Sequence, residues 1–254
     1  MGAEIYCSLE PCSHFGKTNP CVESIIKSGI SKVYVASIDK NPLVNGKGIA
    51  KLKKLNIKVQ MLFNRDIDEL NNIFFNSKIK KRPLIISKIA STLDSKIATA
   101  SSESKWITNS LSRNHGHYLR FKCDAMLVGK NTILLDNPDL RCRLNGLQLF
   151  SPNIFILDSN LEIPTKQKIF KSKKRQVYIF HKKNLDKKKL KKFNKFNVIL
   201  LPITLKDGVL DVNEAILSMA ELGAQRVLVE GGAELLTQLI NKKLVDILLS
   251  LIHI

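Results

Sequence analysis

Short β-rich runs alternate with helical segments along almost the whole chain, and this alternation is what most narrows the choice of fold. Residues 4–9 (EIYCSL) read as a strand. Pro20 opens a helix that Gly29 ends, matching the preference for proline first and glycine last. Residues 32–37 (KVYVAS) are a buried strand, 48–55 a helix and 58–63 a strand. Residues 66–80 are a helix with an acidic first turn and a basic last turn. Strands joined through helices run parallel, so a mostly parallel sheet covered by helices is expected. KIKKRP (78–83) interrupts the series and marks a boundary.

A second alternation follows. Strands are predicted at 84–91, 124–128, 153–158, 176–180, 197–201 and 226–230, with helices over 109–122 and 212–222. The strand RVLVE runs into GGAELLTQLI, a glycine turn opening a further helix. Residues 245–254 (VDILLSLIHI) read as a buried strand. There are no internal repeats. The fold class is α/β in two parts, 1–80 and 83–254.

Composition excludes several classes. The 254 residues are 44% hydrophobic and 25% charged, as in a globular chain. No apolar run reaches the roughly 18 residues that span a bilayer, and no leader follows Met1, so the chain reads as cytoplasmic with no membrane partner. Five cysteines, an odd number, argue against a disulfide framework. The formal net charge is +19. Lysine is spread along the chain, and the densest stretch, 182–195 (KKNLDKKKLKKFNK), reads as a solvated helix. No aromatic-interleaved or groove-reading motif accompanies the charge, so a nucleic-acid partner is not expected. A positive field favours phosphorylated small molecules.

EPCSHFGKTNPC (10–21) carries the first candidate chemistry. Thiolates at Cys12 and Cys21 reach one zinc ion if the loop between them folds back. Cys21 lies in the first turn of a helix, where the dipole lowers a thiol pKa. His14 is a third ligand, a substrate-orienting group, or a hydrogen-bonding member of the loop. Cys7, Cys123 and Cys142 read as ordinary core or surface thiols.

LEPCSHFGKTNPC resembles the zinc signature of the cytidine-deaminase-like enzymes, in the PCxHxGxTPPC form of the riboflavin-pathway pyrimidine deaminases, with Asn19 for the first paired proline. KVYVASIDKNPLVNGKGIAKLKKLNIKV resembles the same family's DPNPxVxGxGxxxLxxxGI segment, with Lys40 for a proline. The resemblance implies Cys12 and Cys21 as metal ligands. Such enzymes use zinc to make hydroxide from water, with a third ligand and a proton-shuttling glutamate from an HAE motif. This sequence has no HAE, and the resemblance puts it upstream of Met1; Glu10 is the Glu of LEPC and no substitute. Half of a zinc site is expected, with no deamination.

In the second part, Gly231 and Gly232 between a strand and a helix offer free N–H groups and a helix dipole to a phosphate, or form a mere tight turn. Thr132 and Asp136 follow a strand and read as a capped turn or a site. Lys88 lies inside an apolar strand, snorkelling to an edge or pointing into a cleft. Arg120 and Arg143 are phosphate forks or solvated surface arginines. Trp106 is a core plug or a cleft residue.

PLIISKIASTLDSKIATASSESKWIT, LRFKCDAMLVGKNTILLDNPDLRCR and RVLVEGGAELLTQLI resemble, in order, three segments of the reductase half of bifunctional riboflavin-biosynthesis deaminase/reductases. Ser95 and Ser102 replace usual glycines. The resemblance implies the C-terminal part of a cytidine-deaminase-like α/β/α domain followed by a dihydrofolate-reductase-like α/β domain. It implies NADPH-dependent reduction of the ribose of 5-amino-6-(5-phosphoribosylamino)uracil, through a C1′ imine. Lys88 and Asp136 are the implied catalytic residues. Ala90, Trp106, Thr132, Asp136, Ser159 and Gly232 are implied on the cofactor side. Ser104, Arg120, Leu140, Arg143 and Glu230 are implied on the substrate side. A homo-oligomer is implied, assembled through the reductase half. Ile247 stands where the family has Glu, and the pattern stops short of its closing strands. The chain is therefore expected to be truncated at both ends, with an unpaired apolar edge. The competing expectations are a non-catalytic remnant that pairs with an intact subunit and, behind it, a basic nucleic-acid-binding module.

Overall fold

The computed structural model describes residues 2–252 apart from 17, 64, 95, 98, 100–107 and 173, and of 78 the backbone alone. The chain divides into two compact units, Met1–Lys81 and Arg82–Ile254.

In the first unit, strands β1 (Glu4–Cys7), β2 (Lys32–Val35) and β3 (Lys58–Met61) lie parallel in that order. Helices α1 (Cys21–Lys27) and α2 (Lys47–Lys54) make the crossovers, and α3 (Arg65–Lys80) follows. The two-residue period of β2 turns Val33 and Val35 inward against Val22 and Ile25 of α1 and Leu52 of α2. Tyr34 faces the other way and stacks on Tyr6 of β1, ring centroids 4.2 Å apart. Their side-by-side placement follows from the Tyr6–Tyr34 register of the two strands.

The second unit is built on seven parallel strands in the order β12-β4-β11-β5-β6-β7-β8. These are β4 (Leu84–Ser91), β5 (Ala125–Gly129), β6 (Asn153–Leu157), β7 (Val177–Lys182), β8 (Val198–Ile203), β11 (Arg226–Val229) and β12 (Ile247–Ile252). Helices α4 (Ser110–Lys122), α5 (Lys130–Asp136), α7 (Val212–Glu221) and α8 (Ala233–Asn241) connect them, with a short α6 (Lys187–Lys191). Hairpin strands β9 (Leu205–Lys206) and β10 (Val209–Leu210) turn through Asp207 and Gly208. Both turn residues have positive φ (54° and 79°), the conformation a tight two-residue hairpin demands. The α/β class with a parallel sheet is as expected.

The strand order positions the site. The chain leaves β4, skips one place to β5, and builds outward to β8. It then returns to fill the gap with β11 before crossing to β12. The order reverses around β4, β11 and β5, and in open parallel sheets the crevice at the carboxyl ends of such strands is where ligands bind. Asn109 caps the start of α4 by accepting from Ser112 N at 2.9 Å, and the helix packs against β11.

Three expectations are corrected. Only Lys187–Lys191 of the lysine-rich stretch is helical; β7 runs on to Lys182, and Phe193 is buried edge-on against Phe170, 5.7 Å between centroids. Aromatic burial overrides the helical spacing there. Residues 130–136 form a helix, α5, so Thr132 and Asp136 share one helix instead of a capped turn. The last strand is not buried: β12 lies at the sheet edge, with Ile247, Leu248 and Ile252 exposed.

Candidate active site

The parallel pairing of β4 with β11 sets Ser87 opposite Val229, so the next residues along, Lys88 and Glu230, meet at the crevice. Lys88 Nζ lies 3.2 Å from Glu230 Oε2. From α4, Arg120 grips the same carboxylate with both prongs, Nε to Oε1 at 2.8 Å and Nη2 to Oε2 at 2.9 Å. All three side chains are largely buried. Burial pushes the Glu230 carboxyl up, but the Lys88 ammonium and the Arg120 guanidinium outweigh it and hold the acid at about 2. Burial likewise pulls Arg120 down, and the opposing pull of Glu230 leaves its pKa raised. Glu230 and Arg120 are therefore both charged at neutral pH.

Two cavities open at this end of the sheet. The smaller, about 150 Å³, is lined by Lys88, Ala90, Arg113, His117, Arg120 and Arg143 among others. Among the described residues its lining carries four cations and no carboxylate; with Glu230 behind Lys88 and Arg120 the balance is still positive, which favours anions. Arg113, His117 and Arg120 come from one face of α4 at helical spacing. Arg143 reaches it from the 137–143 loop and donates Nε–H to His117 Nε2 at 3.2 Å.

The larger cavity, about 300 Å³, lies among Gly129, Lys130 and Thr132, Ser159, and Gly232 with Glu234 at the start of α8. The two glycines have different reasons. A Cβ on Gly231 would meet Leu235 Cδ2 at 2.9 Å and its Cβ at 3.2 Å, so a side chain here would make the Leu235 side chain shift. A Cβ on Gly232 would meet nothing within 4 Å. Gly232 is extended (φ −69°, ψ 176°) at the N-terminus of the nine-residue α8 and presents its backbone to the cavity. Lys130 is paired with Glu162.

The sequence-predicted residues fall as follows. Thr132, Ser159 and Gly232 share the larger cavity. Lys88, Ala90, Arg120 and Arg143 share the smaller one, with Glu230 held against it. Asp136 is exposed at the far end of α5 and lines neither; the acid that meets Lys88 is Glu230. Leu140 is buried in the 137–143 loop with φ 56° and lines neither cavity. Ser104 and Trp106, with Ser95 and Ser102, lie outside the described residues. His117 was missed, although its i, i+3 spacing to Arg120 was there to be read.

In the first unit, Cys21 N donates to Cys12 Sγ at 3.4 Å. The Cys21 thiol is raised, first by its hydrogen bond to Cys12 and then by burial, opposite to the lowering expected from the helix start. The backbone amides of Cys12 and Cys21 do pull the thiol down, but less than the Cys12 side chain and burial push it up. Among the described residues, no three His, Cys, Asp or Glu side chains gather to hold a metal. The residues therefore do not fit a complete zinc centre, and no metal-assisted step is derived. Glu10 is a buried structural plug: it accepts from the amides of Asp39, Gly46, Gly48 and Ile49, tying the loop to the start of α2.

Residues 83–253 match the family model described as the RibD C-terminal domain. The chain belongs to that family. The riboflavin biosynthesis protein RibD of Aquifex aeolicus is 38% identical over 247 residues, 96% of this chain and 67% of that one. The RibD of Bacillus amyloliquefaciens is 37% identical over 91% of this chain and 62% of its own. The chain spans about two thirds of the length of these RibD relatives. Among solved structures, a Thermotoga maritima diaminohydroxyphosphoribosylaminopyrimidine deaminase/5-amino-6-(5-phosphoribosylamino)uracil reductase superposes with a TM-score of 0.76 at 33% identity. It covers 95% of this chain and 65% of that one. The RibD of Acinetobacter baumannii gives the same TM-score at 31% identity.

Proposed function

We propose that the Arg82–Ile254 unit reduces the ribose of 5-amino-6-(5-phosphoribosylamino)uracil at C1′, with NADPH held in the larger cavity. The observation that carries this reading is the Lys88–Glu230–Arg120 cluster facing an anion-selective cavity, two residues before the Gly232 cradle. Family membership supplies the reaction class.

The larger cavity fits a dinucleotide phosphate. Gly232 keeps backbone amides at a helix N-terminus clear of any side chain, and that helix end carries the positive pole of its dipole. Thr132 and Ser159 add hydroxyls. When bound, reduced nicotinamide supplies a hydride to the opened sugar. The chain's own part is to bind and orient. Arg143 with Lys88 neutralises the sugar phosphate, and Lys88 Nζ holds a proton for the ring oxygen as the sugar opens. Glu230, 3.2 Å away, keeps that ammonium in place.

Purified chain is expected to oxidise NADPH only when the phosphoribosylamino substrate is added. Gly232→Ala puts a methyl into the cradle without a packing clash. It is expected to raise the KM for NADPH about tenfold, roughly 1.4 kcal/mol of binding, with little change in the KM for substrate. Substrate-independent oxidation, or an unchanged cofactor KM in the variant, would overturn the placement.

A further inference from the structure

We infer that His117 is a positioning residue: as a neutral imidazole it aims the Arg143 guanidinium, end first, at the phosphate of the substrate. The inference rests on the reading that the smaller cavity takes the phosphorylated end of the sugar.

The two ring nitrogens of His117 face different partners. Nδ1 is 3.1 Å from the carbonyl oxygen of Arg141, which only accepts. Nε2 is 3.2 Å from Arg143 Nε, which only donates. Both contacts are satisfied at once only when Nδ1 carries the proton and Nε2 offers its lone pair. A second proton on the ring would set N–H against N–H and charge against charge. Burial, followed by the nearby Arg120 and Arg143, pushes the ring pKa below the ordinary histidine value, which keeps this tautomer neutral. The charged groups around the ring are Arg113 and Arg120 on its own helix, Arg143 on the loop, Glu230 after β11, and Lys88 on β4.

The division of labour between the two arginines follows from which N–H groups are spent. Arg120 commits Nε and Nη2 to Glu230 and Nη1 to the Arg141 carbonyl at 3.2 Å. It is chiefly a strut. Arg143 spends Nε on His117, and its remaining fork is the Nη1/Nη2 edge, which matches two phosphate oxygens.

The loop beneath is anchored independently. Buried Arg175 donates Nη2 to the Asp139 carbonyl, and the Asp139 carboxylate takes Arg141 Nε at 2.6 Å. Loss of His117 therefore releases the Arg143 side chain while the loop backbone keeps these other ties.

His117→Leu is expected to raise the KM for the phosphorylated substrate about tenfold, with a much smaller change in kcat and in the KM for NADPH. His117→Gln offers both an acceptor and a donor and should recover most of the loss. If His117 acts through Arg143, His117→Leu adds nothing in an Arg143→Met background. Independent, multiplying effects of the two substitutions, or an unchanged substrate KM in His117→Leu, would overturn the inference while leaving the reductase reading intact. Calorimetric binding of inorganic phosphate tests it without turnover: about tenfold weaker binding in His117→Leu supports it, and equal binding contradicts it.

Discussion

Replacing Glu230 with glutamine is expected to destabilise the Arg82–Ile254 unit by about 3–5 kcal/mol, the usual cost of removing one partner from a buried ion pair. The substitution keeps the shape and removes the charge. Two cations, Lys88 and Arg120, are then left desolvated against each other. The linkage argument gives a comparable figure. A carboxyl held at about 2 against an ordinary 4.5 contributes roughly 3 kcal/mol at neutral pH. Its folded pKa is depressed, so this contribution is fully present above pH 4.5 and is lost as pH falls towards 2. Urea unfolding at several pH values should therefore show a wild-type advantage at neutrality that shrinks through that window. A variant as stable as wild type at pH 7 would mean that the triad is solvated and not a buried electrostatic unit.

Gly48→Ala is expected to be as damaging in the first unit, for a steric reason. A Cβ there would sit 1.9 Å from the carbonyl oxygen of Pro11 and 3.3 Å from Glu10 Oε1. The near atom is backbone, so a rotamer change cannot relieve the contact. α2 must back away from the 10–11 segment. That movement strains the bonds Glu10 accepts from Gly48 N at 3.0 Å and Ile49 N at 3.2 Å. Overpacking and a buried carboxylate short of donors together cost about 3–5 kcal/mol. Amide exchange at Gly48 and Ile49 is the readout. Protection equal to wild type would show that the close approach is relaxed in solution.

Much of the fold was legible because strands here are short apolar runs separated by proline and glycine. The second unit's strands were read close to where they lie. What failed was local chemistry overruled by packing. KNTILLD was not read as a helix, since Asn and Thr are weak helix formers and only seven residues are involved. The Asp207–Gly208 hairpin carries a plain turn signal that went unread. Phe193 pulled a lysine-rich stretch out of its expected helix.

At the site, Gly232 and Thr132 were read as separate signals and Ser159 came only through the resemblance; the sheet brings all three to one cavity. The ion pair of Lys88 with Glu230 was not legible. It depends on the register of two strands far apart in sequence, and on β11 filling the place beside β4. The ring of His117 between a loop arginine and a loop carbonyl was equally hidden, since nothing in the sequence says where residues 137–143 return to α4.

The proposed reaction delivers hydride to C1′ of a sugar whose phosphate sits in the Arg143 cavity. Mass and NMR analysis of the product formed with NADPH dideuterated at nicotinamide C4 locates the transferred hydride. One deuterium at C1′ of a ribitylamino product is the result expected. A product without label, or one labelled on the pyrimidine ring, would contradict it.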